Sequence, residues 1–128
     1  MRRVVVVSPY GTRPDGTRAS PEEVEHNVRY VRAAMRDCLR QGEAPFAAHA
    51  LYIGDDAPHQ REAGFAWQTK ADAAVVYTDL GITLGMGEGI RRARGLSGIP
   101  VWFRSLGAPW LVFERQAAIS LILRGHRG

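Results

Sequence analysis

Two stretches of this chain combine residue types that can do chemistry. One is Tyr77-Thr78-Asp79-Leu80-Gly81 followed by Ile82-Thr83-Leu84-Gly85-Met86-Gly87-Glu88-Gly89. Its second half alternates glycines where a helix is expected to begin. Missing side chains there let a ligand approach the backbone, and the free N–H groups of a helix start can receive an anion. The same glycines also suit tight packing of a helix on a sheet, and the helix dipole alone favours a carboxylate such as Glu88 in a first turn. The other stretch is Ser8-Pro9-Tyr10-Gly11, directly after four valines. Between the two lie Asn27, in a helical segment that intrinsically disfavours asparagine, and His49, whose imidazole titrates near neutrality. Each also has a structural reading: Tyr10 as packing, His49 as a half-buried ring bonded to backbone.

Several other chemistries are disfavoured by spacing. A dinucleotide-binding fingerprint needs its glycines after the first strand with an acidic residue about 20 positions on, whereas these follow the third apolar run. His49 and His59 lack the paired spacing of a zinc site, and Asp55-Asp56 has no further acidic residues at alternating positions to make a calcium loop. No Gly-x-Ser-x-Gly elbow surrounds Ser8. No metal or cofactor is expected.

These residues need elements to hold them. Residues 4–7 are a continuous β-branched run, as in a strand buried on both faces. Residues 8–19 form a loop longer than the usual βα connection. Ser20 as N-cap, Pro21 at the first helical position and Glu23 completing a capping box then start a helix. Val24, Val28, Val31, Met35, Cys38 and Leu39 give it one apolar stripe, and Gly42 ends it. Arg29, Arg32, Arg36 and Arg40 read as its solvated face, balanced by Glu22, Glu23 and Glu25. A second strand is expected at 43–48, a helix from Pro58 to about Lys70, a third strand at 73–77, a helix at 85–96 and a fourth strand at 99–103. Residues 108–124 read as a closing helix, with a short strand at 110–113 as the competitor. The order β-α-β-α-β-α-β implies an α/β domain with a mostly parallel sheet covered on both faces. In such sheets ligands bind beyond the carboxyl ends of the strands, which directs attention to the meeting of the loops after Val7 and Tyr77.

The totals agree with one domain over residues 1–128. A 45% hydrophobic and 23% charged composition is that of a folded chain. The lone cysteine, Cys38, reads as a buried thiol. The N-terminal apolar run is too short for a signal peptide and no segment suits a membrane span, so a cytoplasmic protein without membrane contact is expected. A net charge of +4 is carried by basic residues spread along the chain, so nucleic acid is not an expected partner. Trp102, Phe103, Trp110, Leu111 and Phe113 are more aromatic and apolar surface than a four-strand domain readily hides, which predicts a homodimer or higher oligomer. Arg104, Arg115 and the tail around His126 could then face a partner's ligand. The competing reading folds these aromatics under the closing helix.

The opening strand with Ser8-Pro9-Tyr10, the helix carrying Asn27, the stretch Gly42-Glu43-Ala44-Pro45-Phe46-Ala47-Ala48-His49, and the aspartate loop with Leu84-Gly85-Met86 together resemble the nucleoside 2-deoxyribosyltransferase-like superfamily. The resemblance is strongest to a small phage and actinobacterial branch and covers residues 4–106. It implies a flavodoxin-like or Rossmann-like three-layer fold with a short, mostly parallel sheet of four or five strands. It also implies an oligomer, and an enzyme that cleaves or transfers the N-glycosidic bond of a deoxynucleoside or its monophosphate. In the superfamily a glutamate of the glycine-rich loop attacks C1′ of the sugar. A carboxylate suits that carbon because the transition state is oxocarbenium-like. Carried over, Glu88 is the nucleophile, Tyr10 orients it or the sugar, and Asp79 lies near the acidic residues that hold base and sugar hydroxyls and is the fallback nucleophile. Ser8, Pro9, Asn27, His49, Gly85, Met86 and Gly87 would contact substrate, and Asp79 or His49 would protonate the leaving base. In the transferases the glutamate follows the Leu-Gly-Met triplet directly. Here Gly87 intervenes, and one helical step is about 100° of rotation. That step motivates the rival expectation, a catalytically inactive nucleotide-binding module with the same pocket.

Overall fold

Val4, Val5, Val6 and Val7 are all buried, which a strand achieves only with layers on both faces. They belong to β1 (Arg2–Val7), which is followed by α1 (Pro21–Arg40), β2 (Glu43–Phe46), one 3-10 turn (Ala48–Ala50) and α2 (Ala57–Gln68). Then come β3 (Ala73–Tyr77), α3 (Leu84–Arg92), a π turn (Ala93–Ser97) and β4 (Val101–Arg104). The computed structural model describes residues 1–51, 57–108 and 110. All strand pairs are parallel and the order is β2-β1-β3-β4. Alternation along the central strands builds two cores. Val4, Val6, Ala73, Val75 and Tyr77 meet Tyr30, Val31, Ala34 and Cys38 of α1. Val7, Ala74 and Val76 meet Met86, Ile90 and Ala93. Beside α3 lies α2, with Gln68 Nε2 donating to the Gly89 carbonyl at 2.9 Å. The result is the expected three-layer α/β fold of flavodoxin-like or Rossmann-like type, with a four-stranded sheet among the described residues. Among them no helix is long and apolar enough to cross a membrane.

The start of α1 forms as its sequence requires: Ser20 Oγ accepts from the Glu23 N–H, and the Glu23 carboxylate accepts from the Ser20 N–H. Its buried face differs from expectation. Asn27, Val28, Tyr30, Val31, Ala34 and Cys38 are buried, while Leu39 is 55% exposed. Leu39 is one residue beyond Cys38, about 100° around the helix, and so turns from sheet to solvent. The second strand ends at Phe46, two residues early, because the chain coils into the 3-10 turn. The closing segment lies outside the described residues except at 108 and 110. Trp110 is 5% exposed and packs edge-on against Tyr30 with ring centroids 5.2 Å apart. This one of the clustered aromatics therefore joins the core of its own chain, whereas Phe103 on β4 is 51% exposed.

Arg104 is engaged within its own chain. It reaches under α1 to the Glu43 carboxylate, with NH1 to Oε1 at 2.6 Å and NH2 to Oε2 at 2.7 Å. Arg2 NH2 adds a third bond to Oε2 at 3.0 Å. Glu43 has a side chain only 1% exposed, and the Arg104 hydrogen bonds hold its pKa below the usual carboxylate range despite burial. The polar row continues through Cys38 Sγ, 3.4 Å from Tyr77 Oη, and Tyr77 donates to Asp37 Oδ2 at 2.7 Å. Burial raises the Cys38 thiol pKa, which makes it the inert buried thiol expected. Removing one member of a buried pair leaves the other charge uncompensated. Glu43→Ala should therefore destabilise the fold by about 3–5 kcal/mol, and the double change Glu43→Leu with Arg104→Met should recover most of that loss. Thermal melts of the two variants check this: equal melting temperatures for single and double variants would contradict it.

Candidate functional site

The chain leaves β1 outward to β2 and returns across β1 to β3, so strand order reverses between β1 and β3, the place where such sheets bind ligands. The two loops at that edge touch: a Cβ placed on Gly81, whose φ is +87°, would sit 2.9 Å from Pro14 Cγ. The long loop is well tied. Thr12 bridges Arg18, Asp15 Oδ1 accepts from the Thr17 N–H and hydroxyl, and the Arg13 guanidinium grips the Glu23 carboxylate. Those Arg13 bonds, with the Ser20 cap, hold Glu23 at a pKa of about 2.

The structure brings four of the expected substrate contacts together here. Ser8 Oγ lies 2.7 Å from His49 Nε2, the Tyr10 and His49 rings are 5.9 Å apart, and Asn27 Nδ2 donates to the Tyr10 carbonyl at 2.8 Å. Pro9 and Asn27 also line a hollow of about 180 Å³ with Thr12, His26 and Leu80. The 3-10 turn after β2 delivers His49 to the end of β1. Burial lowers its pKa to about 4, so the ring is neutral at pH 7. With its proton on Nδ1, Nε2 accepts the Ser8 hydroxyl. That is the arrangement of a nucleophile and its base, but a base with this pKa is a weak proton acceptor at neutrality.

Asp79 has a different role. Its carboxylate accepts from Tyr30 Oη at 2.5 Å, Ser105 Oγ at 2.6 Å, the Leu106 N–H at 2.8 Å and the Gly107 N–H at 3.0 Å. Tyr30 Oη in turn accepts from the Asp79 N–H at 2.9 Å. Burial opposes its ionisation, but these bonds outweigh burial and hold the pKa at about 2. A carboxylate offers about four acceptor positions, and all are occupied.

Glu88 and the glycines lie on α3. Thr83 caps the helix, its hydroxyl accepting from the Met86 N–H. Met86 is 3% exposed and its Sδ accepts from the Thr83 N–H, so it serves the core and the cap. Glu88 pairs with Arg92 at 3.4 Å and lines an open cleft of about 510 Å³ between α2 and α3, with Arg61, Glu62, Phe65 and Arg92. It is not among the residues lining the hollow at Pro9 and Asn27. Of the three glycines, Gly89 is the one that faces the sheet: a Cβ there would meet Val7 at 3.9 Å, an ordinary contact distance. Among the described residues no three His, Cys, Asp or Glu side chains converge as a metal would require.

Sequence reasoning missed Tyr30 and Ser105. Tyr30 was legible, since it stands three residues after Asn27 and four before Ala34 on one helical face. Ser105 was not, because only the fold brings the residues after β4 to Asp79. The depressed Asp79 pKa stabilises the folded state fully above the unfolded carboxylate value, and that contribution is lost as pH falls from about 4 to about 2. Asp79→Asn should cost about 1.5–3 kcal/mol at pH 7 and flatten the acid limb of stability in that window. Chemical denaturation at pH 7 and at pH 3 measures both effects, and an unchanged acid limb would exclude the clamp as its source.

No curated protein and no solved structure matches the chain. A family defined as a domain of unknown function, DUF7768, matches residues 2–104. That span runs from β1 through the last residue of β4 and includes each side chain described at the carboxyl edge except Ser105. The chain belongs to the DUF7768 family.

Proposed function

We propose that the protein binds a nucleoside or nucleotide at the carboxyl edge of the sheet and does so as a recognition module, without breaking the N-glycosidic bond. The resemblance of Ser8-Pro9-Tyr10, Asn27, the stretch ending in His49 and Leu84-Gly85-Met86 to the nucleoside 2-deoxyribosyltransferase-like superfamily supports the ligand class. Ser8, Tyr10, Asn27 and His49 meet at that edge as an uncharged polar group beside an aromatic ring, a lining suited to a sugar and a base. One observation supports recognition over catalysis by Asp79: its carboxylate has no acceptor position left for attack on a sugar carbon. At pH 7 Asp79 is ionised and His49, with a pKa near 4, is the neutral imidazole rather than the imidazolium, so neither expected donor carries an acidic proton for a leaving base.

The second reading, an N-glycosidic transferase or hydrolase, is favoured by Glu88, which stays half-exposed on the α2–α3 cleft and can exchange Arg92 for a substrate. Deoxynucleosides and their monophosphates, with and without a second free base, separate the readings. Saturable binding without free base is the expected result, and Glu88→Gln should leave that affinity unchanged. Free base alone would establish a hydrolase and an exchanged nucleoside a transferase. In either case Glu88→Gln should lower turnover by orders of magnitude while sparing binding.

The same reading takes the protein as a cytoplasmic homo-oligomer, supported by Phe103 standing exposed on β4. Light scattering across a concentration series should return a multiple of 14.1 kDa. A monomer mass at every concentration would exclude it.

A further inference from the structure

A helix lying on a sheet ordinarily turns an apolar stripe inward and polar residues outward. In α2 this polarity is reversed. The stripe it turns inward, at four-residue steps, is Gln60, Gly64 and Gln68, the two glutamines being 5% and 2% exposed. Gln60 has no hydrogen-bonding partner for either amide atom among the described residues. On its other sides α2 leaves Ala63, Ala66 and Trp67 exposed. Trp67 is 55% exposed and overhangs the edge strand β2, its ring centroid 5.0 Å from that of Phe46. A tryptophan left half in water beside apolar neighbours is the composition of an interface rather than of a solvated face.

The described part of the chain does not cover this surface. Gln68 fixes α2 beside α3 through the Gly89 carbonyl and Ser97. Trp110, the last residue described, packs on Tyr30 of α1, in the layer on the other side of the sheet.

The charges along α2 say what would cover it. Glu62, Ala66 and Lys70 follow one another at four-residue steps, in one row on the outward side. Lys70 is the only lysine of the chain and stands in the turn that prolongs α2, its N–H bonded to the Trp67 carbonyl at 3.0 Å. Glu62 and Lys70 are about 12 Å apart along the axis, too far to pair with each other. Both are exposed, and neither has an ion-pair partner among the described residues. A two-fold axis passing beside Ala66 pairs both. It lays a second α2 antiparallel on the first, so each residue before Ala66 faces the residue equally far after it. Glu62 then faces the partner's Lys70, and Lys70 faces the partner's Glu62. The Ala66 methyl, at the crossing, lets the two helices approach closely. Such an axis also sets each flank of the helix beside the same flank of its copy, so the two Trp67 side chains meet one residue from the crossing. Resting on the oligomer reading above, we propose that the outward side of α2 is the contact through which two copies of this chain form an antiparallel, two-fold dimer.

Sedimentation equilibrium across a concentration series, on native protein and variants, tests this contact. Native protein should return twice 14.1 kDa. Ala66→Glu sets two carboxylates face to face at the crossing and should raise the dimer Kd by roughly 100-fold. Glu62→Lys sets lysine against lysine and should raise it by roughly 10-fold. Glu62→Lys combined with Lys70→Glu exchanges the signs and should return the Kd to near the native value, a recovery that damage to the fold would not produce. Phe103→Glu, on the opposite edge of the sheet, should dimerise as native protein does. An Ala66→Glu protein as dimeric as native, or a double variant no tighter than Glu62→Lys alone, overturns the α2 contact and leaves the oligomer reading standing. Loss of the dimer in Phe103→Glu does the same, moving the contact to β4. Native protein that is monomeric at every concentration overturns the oligomer reading itself and this contact with it.

Discussion

The arrangement of the carboxyl edge depends on the charge of Asp79. Two separate parts of the chain converge on it: Tyr30 from α1, whose hydroxyl also accepts from Asp79's own N–H, and the backbone and side chain of residues 105–107 after β4. Hydrogen bonds to an ionised acceptor are the strong ones, and four of them outweigh the penalty of taking a carboxylate partly out of water. The consequence extends beyond the loop. Once residues 105–107 are fixed against Asp79, Trp110 comes to lie on Tyr30, and the first core is closed by an aromatic from beyond the last strand.

A division of chemistry follows between the two sides of the sheet. Where β1 and β3 end, the groups brought together are a buried hydroxyl, an imidazole that burial keeps neutral at pH 7, a buried amide and a phenol. Proton transfer needs a group whose pKa lies near the working pH, and burial has moved His49 away from it. Between α2 and α3 the balance is reversed: Arg61, Glu62, Glu88 and Arg92 line an open cleft, where solvent screens each charge. The first setting suits recognition by hydrogen bonds and stacking. In the second, Glu88 is paired with Arg92 at 3.4 Å, so a substrate reaching Glu88 would have to displace that arginine.

Sequence reading succeeded where the determinants are local. Five consecutive apolar residues mark β3 to the residue, and Ser20-Pro21-Glu22-Glu23 marks the start of α1 because all the groups in the capping box lie within four positions. It failed where two determinants compete within a short span: Ala47 and Ala48 extend the apolar pattern of β2, yet the chain turns there and so presents His49 to Ser8. Pairings between distant residues left no signal. Ser8 and His49 are 41 positions apart, and Arg104 and Glu43 are 61 apart. Each could be named as polar and interesting, but only the fold decides that the first pair stands at an edge and the second is buried. The clustered aromatics divided for the same reason, with Trp110 folding inward and Phe103 staying out.

What the fold does not account for is concentrated at the edge. Gly85 and Gly87 sit within a right-handed helix where no positive φ demands glycine, and the chain's own atoms leave room for a side chain: the nearest neighbours of an added Cβ are 3.9 and 3.5 Å away. A glycine inside a helix is less stable than alanine by roughly 0.5–1 kcal/mol. Gly89 is buried against Val7, yet at 3.9 Å it too leaves room for a Cβ. Gln60, with two unpaired buried atoms, breaks a second rule on the neighbouring helix, while Gln68 eight residues on obeys it. Elsewhere the polar groups beneath α1 are paired and the strands are covered on both faces. Local departures of this kind collect where a protein meets something other than itself. The helical glycines and the unpaired amide are what the fold leaves unexplained, whereas the pairing of Ser8 with His49 is what it brings together.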